Sequence, residues 1–293
     1  MESDILKRFD SIRIFSKDGK LASHKPLLLL YTLSELKNEN TERIGYNDAE
    51  KAVGPLIETY GPFGTKANVS YPFARLENEK CEIWSVEDAP RNSAGGIYIK
   101  DARKQNLKAG FSSEVLTALR KNPKLIDLVA INLLERNFPP SLHLDILEAV
   151  GLFLGQEEIE AVNRKKRVPN FRDRVLTAYF AQCAFCKFDA KMNGRSVALE
   201  AVHIKMHPVG GADSTPNGLA LCTMHHKLFD LGVLTINETM RVQVSQRVVG
   251  EWGRRLNDEL QSKPMIQPRE KSMSPDPKYI AWHNEKIFKG KVG

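Results

Sequence analysis

Two short ligand pairs constrain this chain more than any other feature: Cys183-x-x-Cys186 and Cys222-x-x-His225. That spacing lets a tight turn present both side chains to one ion, and Zn²⁺ takes four such sulfur and nitrogen donors in a tetrahedron. Three of the four cysteines in the 293 residues, and four of the seven histidines (His203, His207, His225, His226), fall in this stretch. In a reducing compartment such clustering points to metal rather than disulfides. Four ligands close the site, so the expected zinc is structural and ties the turn near residue 183 to the segment near 222. Taken alone, a closed site leaves a non-catalytic zinc ribbon open.

Charge is unevenly spread around this cluster. Residues 1–150 hold 21 basic and 21 acidic side chains, so the net +7 lies in the remainder, with 22 basic against 15 acidic. A basic half-chain is an electrostatic footprint for a polyanion, though a weak one by itself. With 42% hydrophobic and 27% charged residues, the chain has the composition of a soluble globular protein with room for two domains. The longest apolar run, Leu27 to Leu33, is far short of the ~20 residues that span a bilayer. The start MESDILKRFD has neither the basic opening nor the apolar stretch of a signal peptide, which predicts a cytoplasmic protein.

Periodicity predicts a helix over Leu21–Lys37, entered through Ser23-His24-Lys25-Pro26, where proline is tolerated in the first turn. A second helix is expected over Asn47–Thr59, stopping at Tyr60-Gly61-Pro62. The stretch Tyr71-Pro72-Phe73-Ala74-Arg75-Leu76, then polar residues, then Cys81-Glu82-Ile83-Trp84-Ser85-Val86 reads as a hairpin of imperfect alternation. Two helices and a hairpin suggest a winged-helix-like unit. Helical pattern follows over Ser112–Leu119, Pro123–Leu134 and His143–Leu152. Near Arg164-Lys165-Lys166-Arg167-Val168-Pro169 the chain turns basic and loses its apolar pattern, as in a linker. That run is either a solvated connector (or import signal) or a phosphate contact. With Asn170 as N-cap, residues 171–182 are expected to form a helix running into Cys183.

Between the ligand pairs lie Leu199-Glu200-Ala201-Val202-His203-Ile204, a loop with Gly210 and Gly211, and Asn217-Gly218-Leu219-Ala220-Leu221-Cys222-Thr223-Met224-His225-His226. Together with Phe229-Asp230-Leu231-Gly232, this resembles the HNH (ββα-metal) endonuclease family over about 183–236, and order and spacing both fit. The resemblance implies three catalytic positions: His203 as general base, Asn217 as an orienting residue, and His226 as ligand of a catalytic divalent ion, Mg²⁺ or Mn²⁺. An imidazole suits proton abstraction because it titrates near neutrality. Many family members carry Asp immediately before the first His, where this chain has Val202. Glu200 and Asp230 are the nearest carboxylates, and spacing does not choose between them as second metal ligand. His207 stays open between a loop hydrogen bond and a role in the active site.

Ser23-His24-Lys25-Pro26-Leu27, Tyr60-Gly61-Pro62, Tyr71-Pro72-Phe73-Ala74-Arg75-Leu76 and the tail Tyr279-Ile280-Ala281-Trp282-His283 resemble phosphorothioate-dependent restriction endonucleases, in which a sulfur-binding domain precedes the HNH domain. The resemblance implies that Tyr71, Pro72 and Ala74 line an apolar pocket for backbone sulfur, with His24 and Lys25 at its edge. In the bland alternative, Tyr71 and Pro72 only begin a strand. The expected organisation is thus an α+β chain. Residues 1–155 form a mostly helical, winged-helix-like sulfur-binding domain, 156–170 a basic linker, and 171–293 a zinc-stabilised HNH domain acting on double-stranded DNA, where cutting both strands favours a homodimer. The alternatives are an HNH nuclease reading other DNA, and a zinc module that binds without cutting.

Overall fold

The computed structural model describes residues 2–292, apart from 15, 18–19, 63, 88–90, 92, 94–95 and 156–168. Of the stretch expected as a linker, 156–170, residues 156–168 lie outside the described residues, while Pro169 and Asn170 already belong to a helix, so Asn170 is not its N-cap. The chain is a mixture of helix and sheet and divides into two compact units, one of residues 1–61 and 65–164 and one of residues 62–64 and 165–293. No helix among the described residues is long and apolar enough to cross a membrane.

The first unit is organised by the helix His24–Glu39. Its four consecutive leucines, Leu27 to Leu30, are all fully buried, so that turn of the helix is covered on every side. Helices Glu2–Asp10, Tyr46–Tyr60, Ile99–Gln105, Ser113–Lys121, Pro123–Asn137 and His143–Ala149 accompany it. The helices expected from periodicity are therefore present, with ends shifted by a few residues. Asn122 caps the Pro123 helix by accepting the Lys124 N–H, and Pro123 takes the first helical position.

The hairpin expected over Tyr71–Val86 does not form. Ser70–Arg75 is a short helix, and the strand Trp84–Val86 pairs antiparallel with Lys108–Phe111, which also pairs with Arg43–Gly45. The cause is local and aromatic. Asn68 Oδ1 accepts the Ser70 N–H and starts the helical turn. Phe73 then stands edge-on to both Tyr46 and Trp84, with centroids 5.3 and 6.3 Å away, and the Trp84 indole N–H donates to the Phe73 carbonyl at 3.0 Å. A helix lying across the strand satisfies these contacts.

The second unit opens with the helix Pro169–Ala178. It does not run into Cys183 as expected. Phe180 and Ala181 adopt positive φ (57° and 53°), and the Phe180 and Ala181 N–H groups bond back to the Thr177 and Leu176 carbonyls. That left-handed C-terminal motif reverses the chain before the cysteine. Next come a short pair, Lys191–Met192 with Arg195–Ser196, and the antiparallel pair Leu199–His203 with Gly218–Cys222. The helix Thr223–Asp230, the strands Leu234–Ile236 and Val242–Val244, and the helices Glu251–Leu260 and Pro277–Lys286 complete it. One core joins them, centred on Tyr179, Leu219, Leu221, Phe229 and Leu234.

Candidate active site and metal centre

The two ligand pairs meet. Cys183, Cys186, Cys222 and His225 place their ligand atoms within 4.8 Å of one another, the only such His/Cys/acid cluster among the described residues. Cys222 N-caps the helix Thr223–Asp230 and His225 follows in its first turn, so the two share a face. The other pair sits in a turn closed by the Lys187 N–H on the Cys183 carbonyl, with Lys187 at φ 65°. Cys186 Sγ to Cys222 Sγ is 4.0 Å, and His225 Nδ1 lies 3.4 and 3.3 Å from Cys183 and Cys222 Sγ. Those separations suit a tetrahedral ion, for which Zn–S of about 2.3 Å and Zn–N of about 2.0–2.1 Å give edges of roughly 3.6–3.8 Å. Burial disfavours charge on His225, but the hydrogen bonds with Cys183 and Cys222 outweigh it and push the ring up to about 9. All four cysteines are free of disulfides. The set fits one divalent metal.

The HNH-type residues converge on the strand pair beside it. His203 ends its strand opposite Gly218, and its ring stacks on Phe171 at 4.0 Å with a 6° interplanar angle. Gly218 is required there, because a Cβ would stand 2.5 Å from Val175 Cγ2 and 3.2 Å from Phe171 Cζ. Asn217 is fully buried and works on the loop between the strands. Its Oδ1 accepts the Lys205 N–H at 2.8 Å, and its Nδ2 donates to the Lys205 and Ala212 carbonyls at 3.0 and 2.9 Å. Gly211 fits under this staple only without a side chain, since a Cβ would lie 1.8 Å from the Lys205 carbonyl oxygen.

His226, one residue past His225, is turned away from the cysteines and held between two carboxylates. Nδ1 is 2.5 Å from Glu200 Oε2, and Nε2 is 3.0 Å from Asp230 Oδ2. Burial opposes the charged ring, but Asp230 and Glu200 outweigh it and push it up to about 9. Both carboxylates that spacing left open therefore flank the same imidazole. The two carboxylates sit on opposite ring nitrogens, so only one of them can share an ion with His226, and an imidazole–carboxylate pair is chemically harder than the cysteine cluster. For His203, burial lowers the ring's pKa below the ordinary 6.5 and prevails over Asp213, which raises it. Asp213 was not singled out by any sequence pattern. Its Oδ1 lies 2.7 Å from His203 Nε2. His207 is exposed and begins a short 3-10 turn.

In the first unit, the residues expected at a sulfur pocket fall on two helices packed together. His24 opens the long helix with Nε2 3.1 Å from the Lys66 carbonyl oxygen, and Lys25 is ion-paired with Glu79 and donates to the Arg13 carbonyl. Tyr71 is exposed, with the Arg75 guanidinium 5.2 Å from its ring centroid. Pro72 and Ala74 are buried, so among these three only Tyr71 presents its side chain to solvent.

The tail segment, also part of the resemblance, is structural here. His283 stacks on Phe229 at 3.7 Å, its Nε2 lies 3.2 Å from the Phe229 carbonyl oxygen, and Nδ1 lies 2.8 Å from the Thr235 hydroxyl. Burial lowers its pKa to about 4 from 6.5. The unfolded chain then binds a proton that the native ring refuses, so the contribution is fully present above about pH 6.5 and lost as pH falls towards 4. The loss amounts to about 3 kcal/mol. Urea unfolding at pH 7 and pH 4.5 should show it, and His283→Gln should remove that part of the pH dependence. An unchanged dependence in the variant would contradict this.

Residues 2–154 match the family described as ScoMcrA-like, DNA sulfur-binding domain, and residues 183–237 match the HNH endonuclease family. Three solved structures are similar over 50% of this chain. The sulfur-binding domain of ScoMcrA complexed with phosphorothioated DNA is 25% identical with TM-score 0.44, and 94% of it is covered. The sulfur-binding and SRA domains of ScoMcrA with the same kind of DNA are 26% identical with TM-score 0.45, and 46% is covered. The Type IV phosphorothioation-dependent restriction endonuclease ScoMcrA is 24% identical with TM-score 0.42, and the chain spans only 32% of that protein. None of the curated proteins matches.

Proposed function

The chain belongs to the ScoMcrA-like DNA sulfur-binding domain family, and we propose that it is a phosphorothioate-dependent restriction endonuclease. One observation carries the reading: a DNA sulfur-binding domain and an HNH endonuclease domain stand in one chain. The domains are taken as 1–155 and 171–293, joined by the basic stretch 156–170. Helices beside a three-stranded antiparallel sheet support a winged-helix-like description of the first.

Sulfur in place of a non-bridging oxygen is larger, softer and less hydrated, so apolar contact favours it while a nearby cation holds the charge. The exposed Tyr71 ring and the Arg75 guanidinium over it supply both on one surface. His24, Lys25, Pro72 and Ala74 complete the proposed site as neighbours that shape it.

At the nuclease centre, neutral His203 takes a proton from the attacking water. The water oxygen bonds to phosphorus, the bond from phosphorus to the 3′ oxygen breaks, and that oxygen leaves with the electron pair and is protonated from solvent. Asn217 keeps the loop in place, and Phe171 fixes the plane of the His203 ring. His226 would hold Mg²⁺ or Mn²⁺ through one ring nitrogen, with Glu200 or Asp230 as the second ligand, and the ion would supply positive charge for the scissile phosphate and the departing oxygen. The Cys183, Cys186, Cys222 and His225 set holds a structural zinc. The work is cytoplasmic, and a homodimer would bring two centres to the two strands of DNA.

Incubating the full chain with phosphorothioated and unmodified plasmid tests the reading. Metal-dependent cutting of the modified plasmid alone is expected. Equal cutting of both would leave only a general HNH nuclease, and cutting of neither would remove the enzyme.

A further inference from the structure

We infer that Asp213 is the positioning residue of the nuclease centre: its carboxylate accepts the Nε2–H of His203, sets the imidazole tautomer, and leaves Nδ1 as the nitrogen that takes the water's proton. This deepens the nuclease reading and rests on it.

Three features of the loop support the inference. The contact is short and direct, with Asp213 Oδ1 2.7 Å from His203 Nε2, and the His203 ring makes no other hydrogen bond among the described residues. A carboxylate only accepts, so the shared proton belongs to Nε2 and the neutral ring carries its lone pair on Nδ1. The ring cannot turn to exchange the two nitrogens without breaking this bond and the stack on Phe171.

The placement of Asp213 is also built, not incidental. Arg174 donates to the Asp213 carbonyl at 2.7 Å from the helix Pro169–Ala178, while Asn217 donates to the Ala212 carbonyl at 2.9 Å. The peptide groups on both sides of Asp213 are thus anchored by side chains from elsewhere in the unit. Asn217 therefore bears on His203 through the loop that carries Asp213. Once His203 accepts the water's proton it becomes an imidazolium next to a carboxylate, so the pair strengthens as the reaction proceeds. The charged groups acting on His203 are Asp213 and Asp230, which favour the protonated ring, and His207, which opposes it.

Asp213→Asn keeps the shape and removes the charge. On phosphorothioated plasmid with Mg²⁺ or Mn²⁺, the full-length variant should lose about 10–100-fold in kcat with KM unchanged. Asp213 raises the pKa of His203, so the acid limb of kcat should move to lower pH, a shift that a merely structural role would not produce. The double variant with His203→Ala should be no slower than His203→Ala alone, because Asp213 acts through that ring. Four results would overturn the inference: cutting by Asp213→Asn at or above the wild-type rate, an unshifted acid limb, a slower double variant, or loss of folding by Asp213→Asn. Wild-type protein run alongside separates the two failures. If it does not cut, the nuclease reading falls and takes this inference with it.

Discussion

Replacing His203 by alanine should lower cleavage by about 10²–10⁴-fold or more, the range a general base supplies, while leaving the fold and DNA binding intact. The side chain is only partly exposed at the end of its strand, where it contacts the Phe171 ring and Asp213 and takes no part in the zinc cluster. Its loss therefore removes the proton acceptor without opening the core. Burial holds the ring's pKa below 6.5, so the wild-type base is neutral at pH 7 and the acid limb of the rate profile should fall below pH 6.5. Rates of plasmid cutting across pH, with unfolding curves as control, check both points. Cutting by His203→Ala at the wild-type rate would remove His203 from the mechanism.

The second large effect is on stability. Cys183→Ser should abolish metal binding and unfold the second unit, because a bound ion would join the ligand turn to the helix that carries His225. Structural zinc contributes on the order of 10–16 kcal/mol of apparent binding free energy in zinc-finger peptides at pH 7, and such binding is also folding free energy. A domain of ordinary stability, about 5–15 kcal/mol, does not survive that loss. Metal analysis of the purified chain and thermal unfolding before and after chelation measure it. A Cys183→Ser variant that unfolds at the wild-type temperature would contradict a structural role.

The parts legible in the sequence are those fixed by neighbours along the chain. Cys222 and His225 lie on one face because they are three apart at the start of a helix, and His226 points elsewhere because it is the next residue round. The buried Leu27–Leu30 run could only be a covered helix or strand. What was not legible depends on partners distant in sequence. Trp84–Val86 finds its strand partner at Lys108–Phe111, so the nearer Tyr71 segment was free to become a helix under Trp84. Asp213 reaches His203 through a loop held by Asn217 and Arg174, and no spacing rule encodes that contact. Glu200 and Asp230 competed as alternatives in the sequence, yet both touch His226 because a strand and a helix bring them to its two sides. At the proposed sulfur site, the stretch read as extended is the helix Ser70–Arg75, with Ala74 buried and Tyr71 exposed.

Binding of matched duplexes that differ by one backbone sulfur tests the account most directly, with full-length His203→Ala protein so that the DNA stays uncut. The sulfur duplex should bind about 5- to 150-fold more tightly, which corresponds to roughly 1–3 kcal/mol for contact with one soft, poorly hydrated group. Tyr71→Ala should erode that ratio. Salt should weaken both duplexes in parallel, because sulfur and oxygen carry the same formal charge. Equal affinity for sulfur and oxygen duplexes in every sequence context, with the protein shown to be folded, would contradict phosphorothioate dependence.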